Sequence, residues 1–290
     1  MKKILITGKS SYIGSAVSNH LSKYPNDFEI TGMSLRDGTW RNSSLKEYDT
    51  VFHVSGIAHA DSGKLTDEKK ALYYSVNTDL TYEIAEKAKN EGVKQFIFMS
   101  SAIIYGDSAP IGKRKHINKD TPPSPSGAYG DSKLQAELKL KQLDSDDFRV
   151  VILRPPMIYG KGSKGNYPVL AKLALKLPFF PKVKNERSML YIENLAEFVR
   201  LMIMNEERGT FWPQNAEYSD TSTFSQMIAK AHGKNLKLIS GFNWLLKLGA
   251  NITPLINKAF GSLSYDMELS EYKENYRLFS LKESIEKTEK

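Results

Sequence analysis

The chain has 290 residues, 40% of them hydrophobic, and a formal net charge of +8. That length holds one large α/β domain, or a dinucleotide-binding domain with a smaller companion. Cysteine is absent, which excludes disulfides and thiolate metal sites, and His20, His53, His59, His116 and His232 lack ligand spacing, so no metal is expected.

Met1-Lys2-Lys3 followed by Ile4, Leu5 and Ile6 mimics a secretory signal. The apolar run stops after three residues at Thr7-Gly8, too short for a signal core. It reads instead as a first buried strand, and the protein is expected in the cytoplasm. Gly8 and Gly14 bracket a turn through Ser10, Ser11, Tyr12 and Ile13, and a helical stretch follows through Ala16, Val17 and Leu21. Strand, glycine turn and helix aim backbone N–H groups at a pyrophosphate. An ordinary βα turn has the same outline, and Ser11 stands where a dinucleotide fingerprint has its middle glycine.

Further buried strands are expected over 48–54, Gln95–Met99 and 150–153. They run into Ser55-Gly56, Ser100-Ser101 and Arg154-Pro155-Pro156, and helices over 77–90 and 132–143 lie between them. This alternation predicts a parallel sheet covered on both faces, with ligands bound outside the carboxyl ends of the strands. Gly8, Ser55, Gly56, Ser101 and Pro155 all fall at those ends. The run 121–127, T-P-P-S-P-S-G, makes a turn-rich, extended entry to the next helix. Tyr129 and Lys133 then stand four residues apart on one helical face. There the ammonium is expected to pull the phenol below its ordinary pKa of ~10 and make it usable for proton transfer. Alone, that spacing describes a solvated helix pair equally well.

Between Lys161 and Arg187 come Lys164, Lys172, Lys176, Lys182 and Lys184, against one acid, Glu186. Such a strip is a solvated basic face or an attraction for an anionic diphosphate substrate. It lacks aromatic platforms in a recognisable binding motif, and a nucleic-acid partner is not expected. The run 242–260 comes closest to a membrane span but contains Lys247, Asn251, Pro254, Asn257 and Lys258, so no integral segment is expected. It reads as a helix and loop of a substrate domain, or as a membrane-surface or partner-binding face. The end, 280–290, patterns as a short amphipathic helix with Leu281 and Ile285 inward.

Several motifs occur together: T-G-x-x-x-x-I-G at 7–14, H-V-S-G at 53–56, N-T-D-L-T at 77–81, M-S-S-A-I-I-Y-G at 99–106, the Tyr129/Lys133 pair, R-P-P-M-I-Y-G at 154–160 and R-S-M-L-Y-I-E-N-L-A at 187–196. In this order and spacing the chain resembles, over nearly its whole length, the extended short-chain dehydrogenase/reductases that act on nucleotide-sugars, the NAD-dependent epimerase/dehydratase family. The resemblance implies an α/β fold: a Rossmann-like doubly wound parallel sheet over 1–153, with 190–204 returning to it. A smaller mixed α/β substrate domain takes most of 154–290, and the sugar lies in the cleft between.

The resemblance also implies roles. Tyr129 would exchange a proton with the sugar C4 oxygen, Ser101 would hydrogen-bond that oxygen, and Lys133 would hold the nicotinamide ribose and lower the Tyr129 pKa. Gly8, Ser10, Ser11, Tyr12, Ile13 and Gly14 would cradle the cofactor. Ser34, Arg36, Ser55, Gly56, Asn77, Pro155 and Pro156 would complete its site. Asn166 and Arg187 would grip the nucleotide diphosphate, for which arginine's bidentate geometry is suited. Locally, Asn77 reads equally well as a helix N-cap, Ser100 as a turn cap and the prolines as strand ends. Met157 departs from the asparagine of many relatives.

Two features narrow the reaction. Sugar 4,6-dehydratases of the family need an Asp-Glu pair after the catalytic hydroxyl, where this chain has Ala102 and Ile103, so dehydration is not expected. At the end of I-T-G-M-S-L-R, Ser34 and Arg36 replace the acid that bonds the ribose 2′-OH of NAD, which favours NADP; Asp37 keeps NAD as the alternative. The expected activity is reduction of the C4 ketone of a UDP-4-keto-6-deoxy-N-acetylhexosamine in bacterial capsule or O-antigen precursor synthesis. The alternatives are a UDP-hexose 4-epimerase with bound NAD, and a non-catalytic NADP-binding regulator. Such regulators commonly lose the tyrosine or lysine that this chain keeps. Family members are often dimers, and a homodimer is expected on that ground alone.

Overall fold

An unbroken apolar run forms the middle of the sheet. β1 (Lys2–Thr7) carries Ile4, Leu5 and Ile6, all without solvent exposure, and side chains that alternate across a strand can all be buried only if both faces are covered. The structure, a computed structural model, describes residues 1–57, 65–241, 246, 249 and 254–290. His59 and most of the 242–260 run lie outside the described residues. β2 (Phe28–Met33) and β3 (Thr50–His53) flank β1, and β4 (Gln95–Met99), β6 (Arg149–Leu153) and β10 (Gly209–Phe211) extend the sheet. The order is β10-β6-β4-β3-β1-β2 and every pairing is parallel. The winding reverses between β1 and β3, where a doubly wound sheet opens its ligand crevice.

α3 (Leu80–Asn90) and α4 (Ala128–Leu143) cover one face. Their Ile84, Ala85, Ala88, Ala136 and Leu140 pack in one cluster with Leu5, Val51, Phe96, Phe98, Val150 and Ile152. The alternate residues Ile4, Ile6, Phe52, Ile97 and Val151 are buried on the other face. There α1 (Tyr12–Leu21) is tied to the 195–204 part of α6 (Ile192–Met204) by His20 Nε2 and Glu197 at 2.7 Å.

Element boundaries move where tertiary partners intervene. The expected 48–54 strand is confined to Thr50–His53, because a turn closes first through Tyr48 N–H donating to the Leu45 carbonyl. The 77–90 helix is the second part of a longer one. α2 (Asp67–Tyr74) precedes it and joins α3 through a single π-helical turn at Ser75–Asp79. The 132–143 helix begins one turn earlier, at Ala128, after Gly127 in extended backbone, and so includes Tyr129.

The chain forms two compact units. The first comprises Met1–Gly106, Pro122–Pro155 and Leu195–Trp212; the second comprises Asp107–Thr121, Pro156–Asn194 and Pro213–Lys290. In the second, three short parallel pairs form: β5 (His116–Ile117) with β12 (Ser264–Tyr265), β7 (Met157–Tyr159) with β9 (Met189–Tyr191), and β8 (Phe179–Pro181) with β11 (Lys237–Ile239). Thus the 190–204 run divides: its strand pairs inside the second unit, and residues from Leu195 belong to the first. α5 (Asn166–Lys176) and α9 (Leu281–Glu289) both pack on α7 (Thr221–Ala231). The rings of Tyr159 and Tyr167 stack at 5.6 Å, and each meets Phe224 of α7 edge-on. α9 opens with a capping box between Ser280 and Glu283 and turns Leu281 and Ile285 inward, as its sequence pattern indicates. α8 (Pro254–Phe260) follows α7 in this unit.

Glu137 of α4 has 0% exposure and accepts a bidentate pair from Arg154, itself 6% exposed, and a further bond from the Ser100 hydroxyl. Arg154 Nη1 also donates to the Tyr105 hydroxyl at 2.7 Å, and Trp212 Nε1 donates to the same oxygen at 2.8 Å. Removing one member of such a pair leaves a buried charge uncompensated. Glu137→Ala should therefore cost ~3–5 kcal/mol in urea unfolding, and Glu137→Met with Arg154→Met should cost less than the single change.

Candidate active site

The turn after β1 is built on close approach. Gly8 has φ +81°, and a Cβ there would stand 3.0 Å from the Ser55 nitrogen and hydroxyl at the end of β3. A Cβ at Gly14 would stand 2.3 Å from the Gly8 carbonyl oxygen, so only glycine lets α1 start this near the strand. Ser11, in the middle-glycine position, is the N-cap of α1: its hydroxyl accepts from Gly14 N–H at 3.1 Å. Ser10 is exposed, while Tyr12 and Ile13 are half-buried in the first turn. Among the described residues the buried Tyr12 hydroxyl has no hydrogen-bond partner, and burial raises its pKa.

The helix α4 brings the second set of groups to the ends of β3 and β4. A Cβ on Gly130 would lie 2.8 Å from the Ile103 carbonyl oxygen, which sets α4 directly on the 3-10 turn Ala102–Tyr105. Tyr129, one residue before, is hydrogen-bonded to Ser101 and packs against Tyr73 with ring centroids 5.9 Å apart. Lys133, one turn on, is buried: its ammonium donates to the Met99 carbonyl at 3.0 Å and lies 4.7 Å from the Phe98 ring centroid. Burial lowers its pKa to about 8, against the raising effect of the Glu137 charge.

Here one expectation is corrected. Burial pushes the Tyr129 phenol up to about 12, and the bond to Ser101 only partly offsets this. The ammonium that was expected to lower it is turned to the Met99 carbonyl. The phenol is therefore protonated at neutral pH.

Asn77 is also corrected as an N-cap. It lies within the π turn, fully buried, and makes no capping bond. Its Nδ2 donates to the Ile57 carbonyl and the Ser132 hydroxyl, and its Oδ1 accepts from Ile57 N–H at 2.8 Å. The loop after β3 is thereby pinned to α4 beside Gly56, where a Cβ would meet Asn77 Oδ1 at 2.9 Å and Lys133 Nζ at 3.4 Å. The Pro155 carbonyl accepts from Ala102 N–H at 2.9 Å, which joins the end of β6 to the turn after Ser101; Pro156 is buried. In the second unit, Asn166 is exposed at the first residue of α5. Arg187 pairs its backbone with Ser219 and donates Nη1 to the Ala259 carbonyl at 3.1 Å, and burial lowers its pKa to about 10.

A family model described as the NAD dependent epimerase/dehydratase family matches residues 4–212. The chain belongs to that family. A UDP-glucose 4-epimerase of Vibrio cholerae is 32% identical over 68% of this chain and 65% of its own length. An N-acetyl-alpha-D-glucosaminyl-diphospho-ditrans,octacis-undecaprenol 4-epimerase of Escherichia coli O157:H7 is 29% identical over 71% of this chain and 64% of its own. The chain thus spans just under two thirds of the length of these curated relatives. The crystal structure of a dTDP-4-dehydrorhamnose reductase from Bacillus anthracis in complex with NADP aligns over 99% of this chain and 98% of that one, with a TM-score of 0.74 and 16% identity, and so shares the fold.

Set against the family's dinucleotide fingerprint, the end of β2 is unusual. Ser34 and Arg36 are exposed, with Arg36 N–H donating to the Ser34 hydroxyl at 3.3 Å. Asp37 is engaged in its own turn, accepting from the Thr39 backbone and hydroxyl, which lowers its pKa. One residue escaped the sequence reading. A Cβ on Gly32 would stand 2.5 Å from Lys9 Cδ, so the Lys9 stem lies across Gly32 at the end of β2. The pairing of a lysine after Gly8 with a glycine two residues before Ser34 is the only signal that could have found it.

Burial holds the Lys133 ammonium in the native state below the ordinary lysine value of 10.5, at about 8. The unfolded chain therefore binds more protons between those values, and stability rises with pH across that window. At neutral pH the buried ammonium costs on the order of 3 kcal/mol. Urea unfolding of Lys133→Met against the parent should show the parent gaining on the variant as pH rises from about 8 to about 10.5.

Proposed function

We propose that the protein reduces the C4 ketone of a UDP-4-keto-6-deoxy-N-acetylhexosamine, using NADPH, in the synthesis of a bacterial surface polysaccharide precursor such as capsule or O-antigen. The observation that carries this reading is the Ser101–Tyr129 hydrogen bond, with the Lys133 ammonium buried one turn further along α4. The tight glycines at 8, 14 and 56, and a Tyr12 hydroxyl with no partner among the described residues, suit a dinucleotide at the switch point of the sheet. A nicotinamide cofactor supplies the hydride when bound.

The chain's own residues handle the proton and the positioning. The Tyr129 phenol carries its proton at neutral pH and can deliver it to the C4 oxygen, and its burial holds the proton on until that oxygen is there to accept it. Ser101 holds that oxygen beside Tyr129. Lys133, one turn further along α4, holds the ribose. Arg187 and Asn166 take the diphosphate of the substrate. Ala102 and Ile103 offer no group for proton transfer, so dehydration is not part of this reading.

At the end of β2, Lys9, Arg36 and the Ser34 hydroxyl suit a 2′-phosphate, and the one nearby acid is already engaged. An exchangeable NADPH belongs with net reduction. The second reading, a 4-epimerase with retained NAD, is favoured by the names of both curated relatives.

Absorbance of NADPH on mixing the pure protein with UDP-4-keto-6-deoxy-N-acetylglucosamine separates the two. The expected result is oxidation of the cofactor in step with the sugar, slowed ~10²–10⁴-fold in Tyr129→Phe. NAD retained through purification with UDP-hexoses interconverting assigns the epimerase, and binding of NADPH with neither reaction assigns a regulator. The double change Lys9→Ser with Arg36→Ser should shift preference from NADPH towards NADH roughly tenfold or more, read as the ratio of kcat/KM.

A further inference from the structure

The outward side of α5 and the segment after it combine exposed apolar side chains with lysines and no acid. Tyr167 and Ala174 are buried, and α5 packs on α7. Val169, Lys172, Leu173 and Lys176 recur at three- and four-residue spacing, so they share a helical face, and all are exposed. Leu177 and Phe179 continue the exposed apolar surface, with Val169 at 59% and Phe179 at 54% exposure. Lys164, Lys182 and Lys184 are exposed on either side, and no Asp or Glu occurs from 161 to 185.

This side is held outward by fixed contacts. Lys234 Nζ donates to the carbonyls of Leu175 and Leu177 at 2.6 Å each and caps the end of α5. The Tyr167 hydroxyl is bonded to Glu289 near the other end. The acids of the neighbouring elements are engaged elsewhere, Glu289 also with His232, and Glu186 with Arg114 and the Ser264 hydroxyl. Among the described residues Lys164, Lys172, Lys176, Lys182 and Lys184 form no ion pair with any of these acids.

We propose that this face docks the protein on the surface of an anionic lipid bilayer. The lysines meet the headgroups, and Val169, Leu173, Leu177 and Phe179 enter the boundary between headgroups and acyl chains. A basic helical face interleaved with aliphatic and aromatic side chains is the composition of an in-plane, interfacial contact. A nucleic acid would gain nothing from the aliphatic side chains and would want stacking platforms. The core of a protein interface is depleted in lysine, whereas Lys172 and Lys176 sit amid the apolar residues. α5, at 11 residues, is too short to cross a bilayer, and no helix among the described residues is long and apolar enough to do so. The proposal uses no residue of the C4 chemistry and goes beyond it.

Co-sedimentation of the full chain with vesicles tests the idea. Vesicles of phosphatidylcholine mixed with phosphatidylglycerol should carry the protein down at low salt, and phosphatidylcholine alone should not. Lys172→Ser with Lys176→Ser should lower the partition coefficient roughly tenfold or more. Leu173→Ser with Phe179→Ser, which keeps every charge, should lower it by a similar factor, and both variants should keep the parent's melting temperature. Equal binding to both vesicle types, or binding to neither, overturns the proposal. Binding that ignores the apolar change overturns the insertion. A chain that leaves the vesicles but self-associates, and loses that association in the same variants, reassigns the face to a contact between copies.

Discussion

A carboxylate without any solvent exposure cannot stand alone, and Glu137 of α4 is such a group. Its two oxygens are taken by Arg154 and by the Ser100 hydroxyl. Those partners are the last residues before Pro155 and Ser101, so satisfying one buried charge fixes the ends of β4 and β6 against α4. Tyr129 and Lys133 lie two turns and one turn before Glu137 on the same helix. The strand end that carries Ser101 is thus anchored to α4 by a charge that takes no part in the proposed chemistry. The same charge holds the Lys133 pKa up against its burial.

Close approach of backbone sets the other side of the site. Gly14 lets α1 begin against the Gly8 carbonyl, Gly8 lets the turn lie on Ser55, and Gly56 lets the next loop lie on Asn77 and Lys133. The contact of Gly8 with Ser55 joins the ends of the neighbouring strands β1 and β3 at the switch point of the sheet. The loss of the usual middle glycine is tolerated because Ser11 does different work there, as the cap of α1. The second unit is organised otherwise, by stacked and edge-on rings around Phe224 and by a C-terminal helix locked with a capping box. In this unit α5 packs on α7.

Much of this was written in the order of residues. The apolar runs of β1, β4 and β6 declare a doubly covered parallel sheet, because only burial on both faces removes the need for alternation. The positions of Gly8 and Gly14, the four-residue spacing of Tyr129 and Lys133, and the inward pair Leu281 and Ile285 follow from local geometry alone. Family membership came from the order and spacing of several such motifs together.

Tertiary structure decided what depends on residues far apart in the chain. The Tyr129 pKa goes up because burial outweighs the hydrogen bond from Ser101, and burial is not a local property. Asn77 caps nothing because Ile57 and Ser132 claim its amide. Lys9 lies over Gly32, and Glu137 meets Arg154 seventeen positions on, through contacts that no helical or strand period contains. Sequence thus determined the elements and the types of group at their ends, which short-range sterics and hydrophobic pattern dictate. Which of those groups are charged, and what holds them, was decided by desolvation and long-range hydrogen bonding, which exist only once the chain has closed on itself.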